Sequence, residues 1–248
     1  MLKFVQLDLI YMTQMLWYLD CYLNDWQAEV TEVSADGTEI ALDRTAFYPE
    51  SGGQPADEGR MVCNDKGYAV LSSKKEGHRV VHKVDRAGLS VGNIVSCSVD
   101  WSRRYTLMRY HTACHILSRV IFNETDAMVT GKQIYIDRAR IDFSLKDFDK
   151  EKINSYEEKA NEAVKKGFDV RWLIMPREEA NKIENLVRLQ HRPLPDAMHE
   201  VRVVDITGFD VQACGGTHVK NTKEIGRIVI TKAENKGKEN RRVEFVLE

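Results

Sequence analysis

The stretch RYHTACHIL, Arg109 to Leu117, sets His111 and His115 four residues apart in a segment that reads as helix. Four residues is about one helical turn, so both imidazoles project from one face, roughly 6 Å apart at their base. Two imidazoles held in this way can close on one Zn²⁺ at about 2.0 to 2.1 Å per bond, which makes half a site. The other half must come from elsewhere, and ninety-nine residues after His115 the chain offers Cys214 and His218 in QACGGTH. Gly215 and Gly216 free the intervening backbone to turn, so that a thiolate and an imidazole can converge from a loop onto the helical pair. Three nitrogens and one sulfur suit tetrahedral zinc better than calcium or magnesium. A single ion per chain is expected. Cys114, between the two helical ligands, is expected in the core.

A second pair, His78 and His82 in HRVVH, has the same spacing but sits in an apolar alternation that predicts a strand. There, positions i and i+4 lie about 13 Å apart, so this pair is expected not to share an ion.

Outward from the histidine helix the chain changes character. Upstream, QAEVTEVSADGTEIAL (Gln27 to Leu42) predicts two strands around an Asp36-Gly37 turn. Further short strands are predicted near Arg60–Cys63, Tyr68–Ser72, Arg79–Val84 and Ile94–Val99. Many short strands with glycine turns suggest a small barrel or sandwich over the first 95 residues or so. Within it RTAFYPESGGQPADEG (Arg44 to Gly59) is a long loop, of the kind that is functional or disordered in compact domains. Phe47 and Tyr48 argue against disorder, Gly52 and Gly53 allow close backbone approach, and the Gln54 amide can both donate and accept. The apolar lead Met1 to Tyr11 has no assignable role.

The histidine helix is capped by Asp100 or Ser102 and is expected to run to about Phe122, burying Leu107, Cys114, Leu117 and Ile121. Downstream, strands are predicted at Gln133–Ile136, Arg140–Phe143, Phe168–Met175, Val201–Ile206, Gly226–Ala233 and Val243–Leu247. Helices are predicted from Asp149 to Lys166, stopped by Gly167, and from Arg177 to about Leu189 behind Pro176. Strands interleaved with three helices make this part a two-layer α+β domain.

The length of 248 residues allows one large or two small domains. No apolar run is long enough for a membrane span, and the start lacks the succession of a signal peptide, so the protein is expected to be cytoplasmic, with no membrane partner. Five scattered cysteines argue against a disulfide framework. The formal net charge of -2 does not advertise a nucleic-acid binder. Local clusters must carry any such role: Arg103, Arg104 and Arg109 before the histidine pair, and Lys232, Lys236, Lys238, Arg241 and Arg242 near the C-terminus. Read alone, the second cluster is a solvated hairpin tip.

Taken together, FYPESGGQPADEG, HTACH, VTGKQIYIDRARIDF, CGGTH and KGKENRRVEFVL resemble, in order, the AlaX family, free-standing relatives of the alanyl-tRNA synthetase editing domain. The resemblance runs from about Met12 to the C-terminus and fits the medium-length class. It implies an α+β protein with a translation-factor-like small β-barrel, residues 1–97, followed by a two-layer zinc-bearing editing domain, residues 98–248. It implies trans-acting, zinc-dependent hydrolysis of alanine tRNA mischarged with serine, and of its glycine counterpart. It also makes His111, His115, Cys214 and His218 the metal ligands, and places Thr130 near the pocket for the misattached amino acid, with Gly52, Gly53 and Gln54 shaping or closing that pocket. Thr130 and Gln54 are then the candidates for hydrogen bonding to the serine hydroxyl, the group that separates serine from alanine.

Phosphate contacts are expected from Arg103, Arg104, Lys236, Lys238, Arg241 and Arg242, making tRNA binding weaken with salt. Four ligands would close the tetrahedron, whereas catalytic zinc usually keeps one position open. A loose ligand, an expanded shell and an ion that only anchors substrate all remain compatible with the sequence. So does a nucleic-acid-binding module with purely structural zinc. A zinc peptidase is disfavoured, because Thr112 stands where its helical signature places a glutamate.

Overall fold

The computed structural model describes residues 12–146, 149–190, 194 and 198–248; the lead Met1–Tyr11 lies outside the described residues. The chain divides into two compact units. The first comprises residues 1–51 and 55–105, and the second residues 52–54 and 106–248. The boundary falls inside the histidine helix, and the Gly52–Gln54 tripeptide groups with the second unit.

The first unit holds a closed six-stranded barrel, in the order Asp25–Val33, Glu39–Leu42, Arg79–Val84, Lys66–Glu76, Gly59–Cys63, Ile94–Val99. The expected hairpin is present, and Gly37 takes the left-handed φ of 72° that its turn requires. Alternating Val30, Ile40, Leu42, Met61, Val70, Val84 and Val95 fill the interior. Closure leaves no barrel edge to pair with another chain. The Arg44–Gly59 loop is packed: Phe47, Tyr48 and Asp57 are buried.

The histidine helix, Trp101–Thr125, starts with the Asp100 carboxylate accepting the Arg103 N–H at 3.1 Å. It runs three residues past the expected Phe122 and is followed by Asp126 at a left-handed φ of 55°. Leu107, Cys114, Leu117 and Ile121 are buried as the spacing required.

The second unit carries an antiparallel four-stranded sheet, Ile228–Gly237, Asn240–Leu247, Ala139–Phe143, Val129–Ile134, and a three-stranded one, Val170–Pro176, Glu200–Ile206, Asp210–Ala213. The helix Lys150–Lys166 begins at an Asp149 cap and ends at Gly167, φ 72°, as the sequence predicted. The helix expected over Arg177–Leu189 stops at Ala180. Beyond it Asn185 is left-handed, and the backbone is claimed by tertiary pairing: Leu186 accepts from the Ala213 N–H, and Arg188 from the Val129 N–H. Buried Ala180 and Leu186 pack with Val201 and Val203, so sheet packing overrides helix periodicity here. No helix among the described residues is long and apolar enough to cross a membrane.

Candidate metal centre

One group of metal-competent side chains is found among the described residues: His111, His115, Cys214 and His218, with a ligand atom of each within 4.8 Å of all the others. The helix presents the first two, their rings 5.4 Å apart, and the loop brings the His218 ring to 4.4 Å from His111 and 4.7 Å from His115. Cys214 Sγ lies 3.5 Å from His111 Nε2 and 3.4 Å from His218 Nε2.

The surroundings fix which nitrogen is free. Gln54 Oε1 can only accept, so at 2.7 Å from His111 Nδ1 it requires the proton there and leaves the lone pair on Nε2. Thr112 does the same for His218. Its hydroxyl donates to the Met108 carbonyl, so toward His218 Nδ1, at 3.1 Å, it accepts. Two of the three rings therefore aim an Nε2 lone pair at the Cys214 sulfur, the arrangement by which outer partners orient metal-binding histidines. His115 Nδ1 is buried without a hydrogen-bond partner among the described residues. Burial, above all, pushes all three histidines well below their ordinary range, with Lys132 the next contributor for His111 and His115 and the neighbouring His115 for His218. They are neutral, the form that binds a metal. This donor set fits a divalent cation.

The Cys214–His218 loop is held from behind. Arg202 donates to the Cys214 carbonyl at 2.7 Å and the Gly216 carbonyl at 2.9 Å. Neither Gly215 nor Gly216 has a positive φ; what Gly216 supplies is room, since a Cβ there would stand 2.1 Å from His111 Cε1. Gly52 and Gly53 are both left-handed, and a Cβ on Gly53 would stand 2.2 Å from the Lys132 carbonyl oxygen.

Several expected site residues have other surroundings. Gln54 is fully buried, accepting from the Thr217 N–H and donating to the Thr217 hydroxyl, so it braces His111 and is not exposed to a substrate hydroxyl. Thr130 is exposed at a β-bulge and donates to Asn240 Oδ1 at 2.8 Å. The residue of its strand that touches the cluster is Lys132, whose Nζ is 2.7 Å from His111 Nε2. Arg104 is not available to a phosphate: it is fully buried, binding the Asp57 carboxylate and the Cys21 and Ala46 carbonyls. Arg241 is likewise buried on the Lys146 and Gly237 carbonyls, because its hairpin position points inward. Arg242 pairs with Asp142 at 2.6 Å, and Arg103 with Glu58 at 3.3 Å. Lys236 and Lys238 are exposed. Cys114 is buried, its thiol pushed up to about 12 by that burial, and stands outside the cluster. His82 is buried in the barrel, likewise outside it.

Lys132, Thr112, Thr217 and Arg202 were not singled out from the sequence as supports of the centre. Thr112 and Thr217 lie inside the HTACH and CGGTH motifs, which was the available signal.

Two family models match the chain. One is described as tRNA synthetases class II (A), over residues 17–103, and the other as the threonyl and alanyl tRNA synthetase second additional domain, over residues 201–244. The alanyl-tRNA editing protein AlaX-M of Methanosarcina barkeri is 43% identical over 243 residues, 95% of this chain and 99% of the relative. That of Saccharolobus solfataricus is 40% identical over 242 residues, covering 95% and 99%. The alanine–tRNA ligase of Pyrococcus furiosus is 37% identical over 226 residues, 90% of this chain but 24% of the ligase. A four-donor cluster with tautomer-fixing partners, in a chain that the two AlaX-M relatives match over 95% of its length, places it: the chain belongs to the AlaX-M family of alanyl-tRNA editing proteins.

Proposed function

We propose that this chain is a trans-acting aminoacyl-tRNA deacylase that hydrolyses the ester of alanine tRNA mischarged with serine or glycine, using one zinc ion held by His111, His115, Cys214 and His218. The observation that supports it most is the convergence of three neutral imidazoles and a thiol in a member of this family. When bound, the ion would supply a Lewis acid for the ester carbonyl and lower the pKa of a bound water toward about 7. The other parts of the chain do positioning. Gln54 and Thr112 hold two rings in the ligating tautomer, and Arg202 pins the loop. An ester is more labile than an amide, so placement beside an activated water suffices without a covalent nucleophile. Three of the four donors are buried and Cys214 is half-buried, which makes its side the approach for the aminoacyl end.

Residues 1–97 would act as the barrel domain and 98–248 as the editing domain, with Gly52 and Gly53 shaping the pocket wall. Exposed Lys236 and Lys238, with partly buried Arg103 and Arg242, would contact tRNA phosphates. A substrate made during translation puts the protein in the cytoplasm.

The test is release of labelled serine from seryl-charged alanine tRNA by the wild type and by a Cys214→Ala, His218→Ala double variant, with alanyl-charged tRNA as control. Loss of serine alone, abolished in the variant and on zinc removal, is expected. No release by folded, zinc-loaded protein would overturn the reading in favour of a binding module with structural zinc.

A further inference from the structure

The two nitrogens of the His111 ring are addressed from opposite ends. Gln54 Oε1 takes the Nδ1 proton, and the Lys132 ammonium lies 2.7 Å from Nε2, the same nitrogen that stands 3.5 Å from Cys214 Sγ. An ammonium has three donors and no acceptor, so this contact uses the Nε2 lone pair that a metal ion would need. The lone pair cannot serve both.

The position of Lys132 is built rather than incidental. Its strand, Val129–Ile134, is pinned by the Gly-Gly-Gln turn, with the Ile134 N–H donating to the Gly53 carbonyl at 2.7 Å and the missing Gly53 Cβ leaving space for the Lys132 carbonyl. One tripeptide thus sets both the tautomer of His111 and the backbone from which the competing cation reaches it. The side chain is partly buried, which shields the contact from solvent.

We propose that Lys132 is a tethered cation that competes with the metal for His111 Nε2 and thereby sets the metal affinity of the centre. The inference rests on the zinc reading above. The ammonium donates to an acceptor nitrogen that is otherwise buried. A metal binding at Nε2 must displace that charged hydrogen bond, which lowers its affinity. The competition depends on Gln54: with the Nδ1 proton no longer held, the ring can present N–H at Nε2, which neither cation can use.

The experiment is competition of the metal-free full chain against a chromophoric chelator for Zn²⁺, repeated with Co²⁺, whose thiolate absorption reports Cys214 ligation independently of tRNA. Lys132→Met is expected to bind at least about tenfold more tightly than wild type, the loss of one charge-assisted hydrogen bond to displace. Lys132→Arg, which keeps a cation, is expected to stay nearer wild type. In a Gln54→Leu background the gain from Lys132→Met should shrink. Equal or weaker binding by Lys132→Met, with circular dichroism matching wild type, overturns the proposal; if that variant does not fold, Lys132→Gln carries the same comparison. Absence of metal binding in every variant would overturn it together with the zinc reading, whereas tight binding without deacylation would remove the proposed reaction and leave the competition standing.

Discussion

Gln54 Oε1 lies 2.7 Å from His111 Nδ1, so a residue that the sequence marks as part of a glycine-rich loop acts as the outer partner of a metal-competent histidine. Its amide nitrogen and oxygen are further tied to Thr217, one residue from His218. A single buried amide therefore braces a donor from the helix and a donor from the loop. Gln54→Leu is expected to weaken metal binding by about 10- to 100-fold, the usual effect of losing an outer-shell partner. Chelator competition checks this, and an unchanged affinity would count against the bracing role.

Gly216 has no room for a methyl group, since the added carbon would meet His111 Cε1 at 2.1 Å and Gln54 Oε1 at 3.1 Å. Gly216→Ala must shift the His111 ring or the loop, and either movement separates Cys214 from the helical donors. Loss of metal binding is expected, with the barrel still folded by circular dichroism. Gly208, whose Cβ would meet nothing within 4 Å, serves as a contrast for space, although its φ of 77° strains any side chain.

Arg104 and Asp57 form an ion pair with neither side chain exposed, and the guanidinium also binds the Cys21 and Ala46 carbonyls while Asp57 accepts from the Tyr48 N–H. Removing one partner strands the other charge away from water. Arg104→Met is thus expected to cost about 3 to 5 kcal/mol, measured by denaturant unfolding, whereas pairing it with Asp57→Leu should recover part of that loss.

The contrast between Arg104 and its neighbours shows how far the sequence could be read. Period-two alternation made the barrel legible, and His-x3-His with Cys-Gly-Gly-Thr-His made the donor set legible, because both patterns are local. Burial of charge is not local. Arg103 and Arg104 are adjacent and chemically identical and both bond to the same loop 47 residues away, yet one stays partly exposed and the other is fully buried. The helix expected over Arg177–Leu189 failed for the same reason, its backbone being claimed by Val129 and Ala213. Lys132 escaped because nothing in VTGKQI says which strand residue faces the histidines.

Lys236 and Lys238 are exposed on the hairpin formed by Ile228–Gly237 and Asn240–Leu247, Lys236 beside Glu234 at 3.1 Å. If they meet phosphates, each replacement by alanine should reduce the slope of log affinity against log salt by about 1 and weaken all tRNA sequences alike. Filter binding across a salt series tests this. A slope unchanged in the double variant would return the cluster to a solvated tip.

His82 supplies a stability prediction outside the metal centre. Its Nδ1 lies 3.0 Å from the Ile40 carbonyl, which can only accept, so Nδ1 carries the proton and Nε2 accepts from the Thr45 hydroxyl at 2.9 Å. That hydroxyl in turn accepts from the Phe47 N–H at 3.1 Å, so the network is complete with a neutral ring. Burial holds His82 down from 6.5 to about 4. Because the folded value lies below the unfolded one, the unfolded chain binds more protons between these limits, and stability falls as pH falls. The loss begins near pH 6.5 and reaches about 3 kcal/mol near pH 4. His82→Asn keeps a donor for Ile40 but cannot titrate, so it should be less stable at pH 7 yet show a shallower acid decline. Urea unfolding of both proteins from pH 7 to pH 4 decides it: parallel declines would mean that His82 does not govern the acid limb.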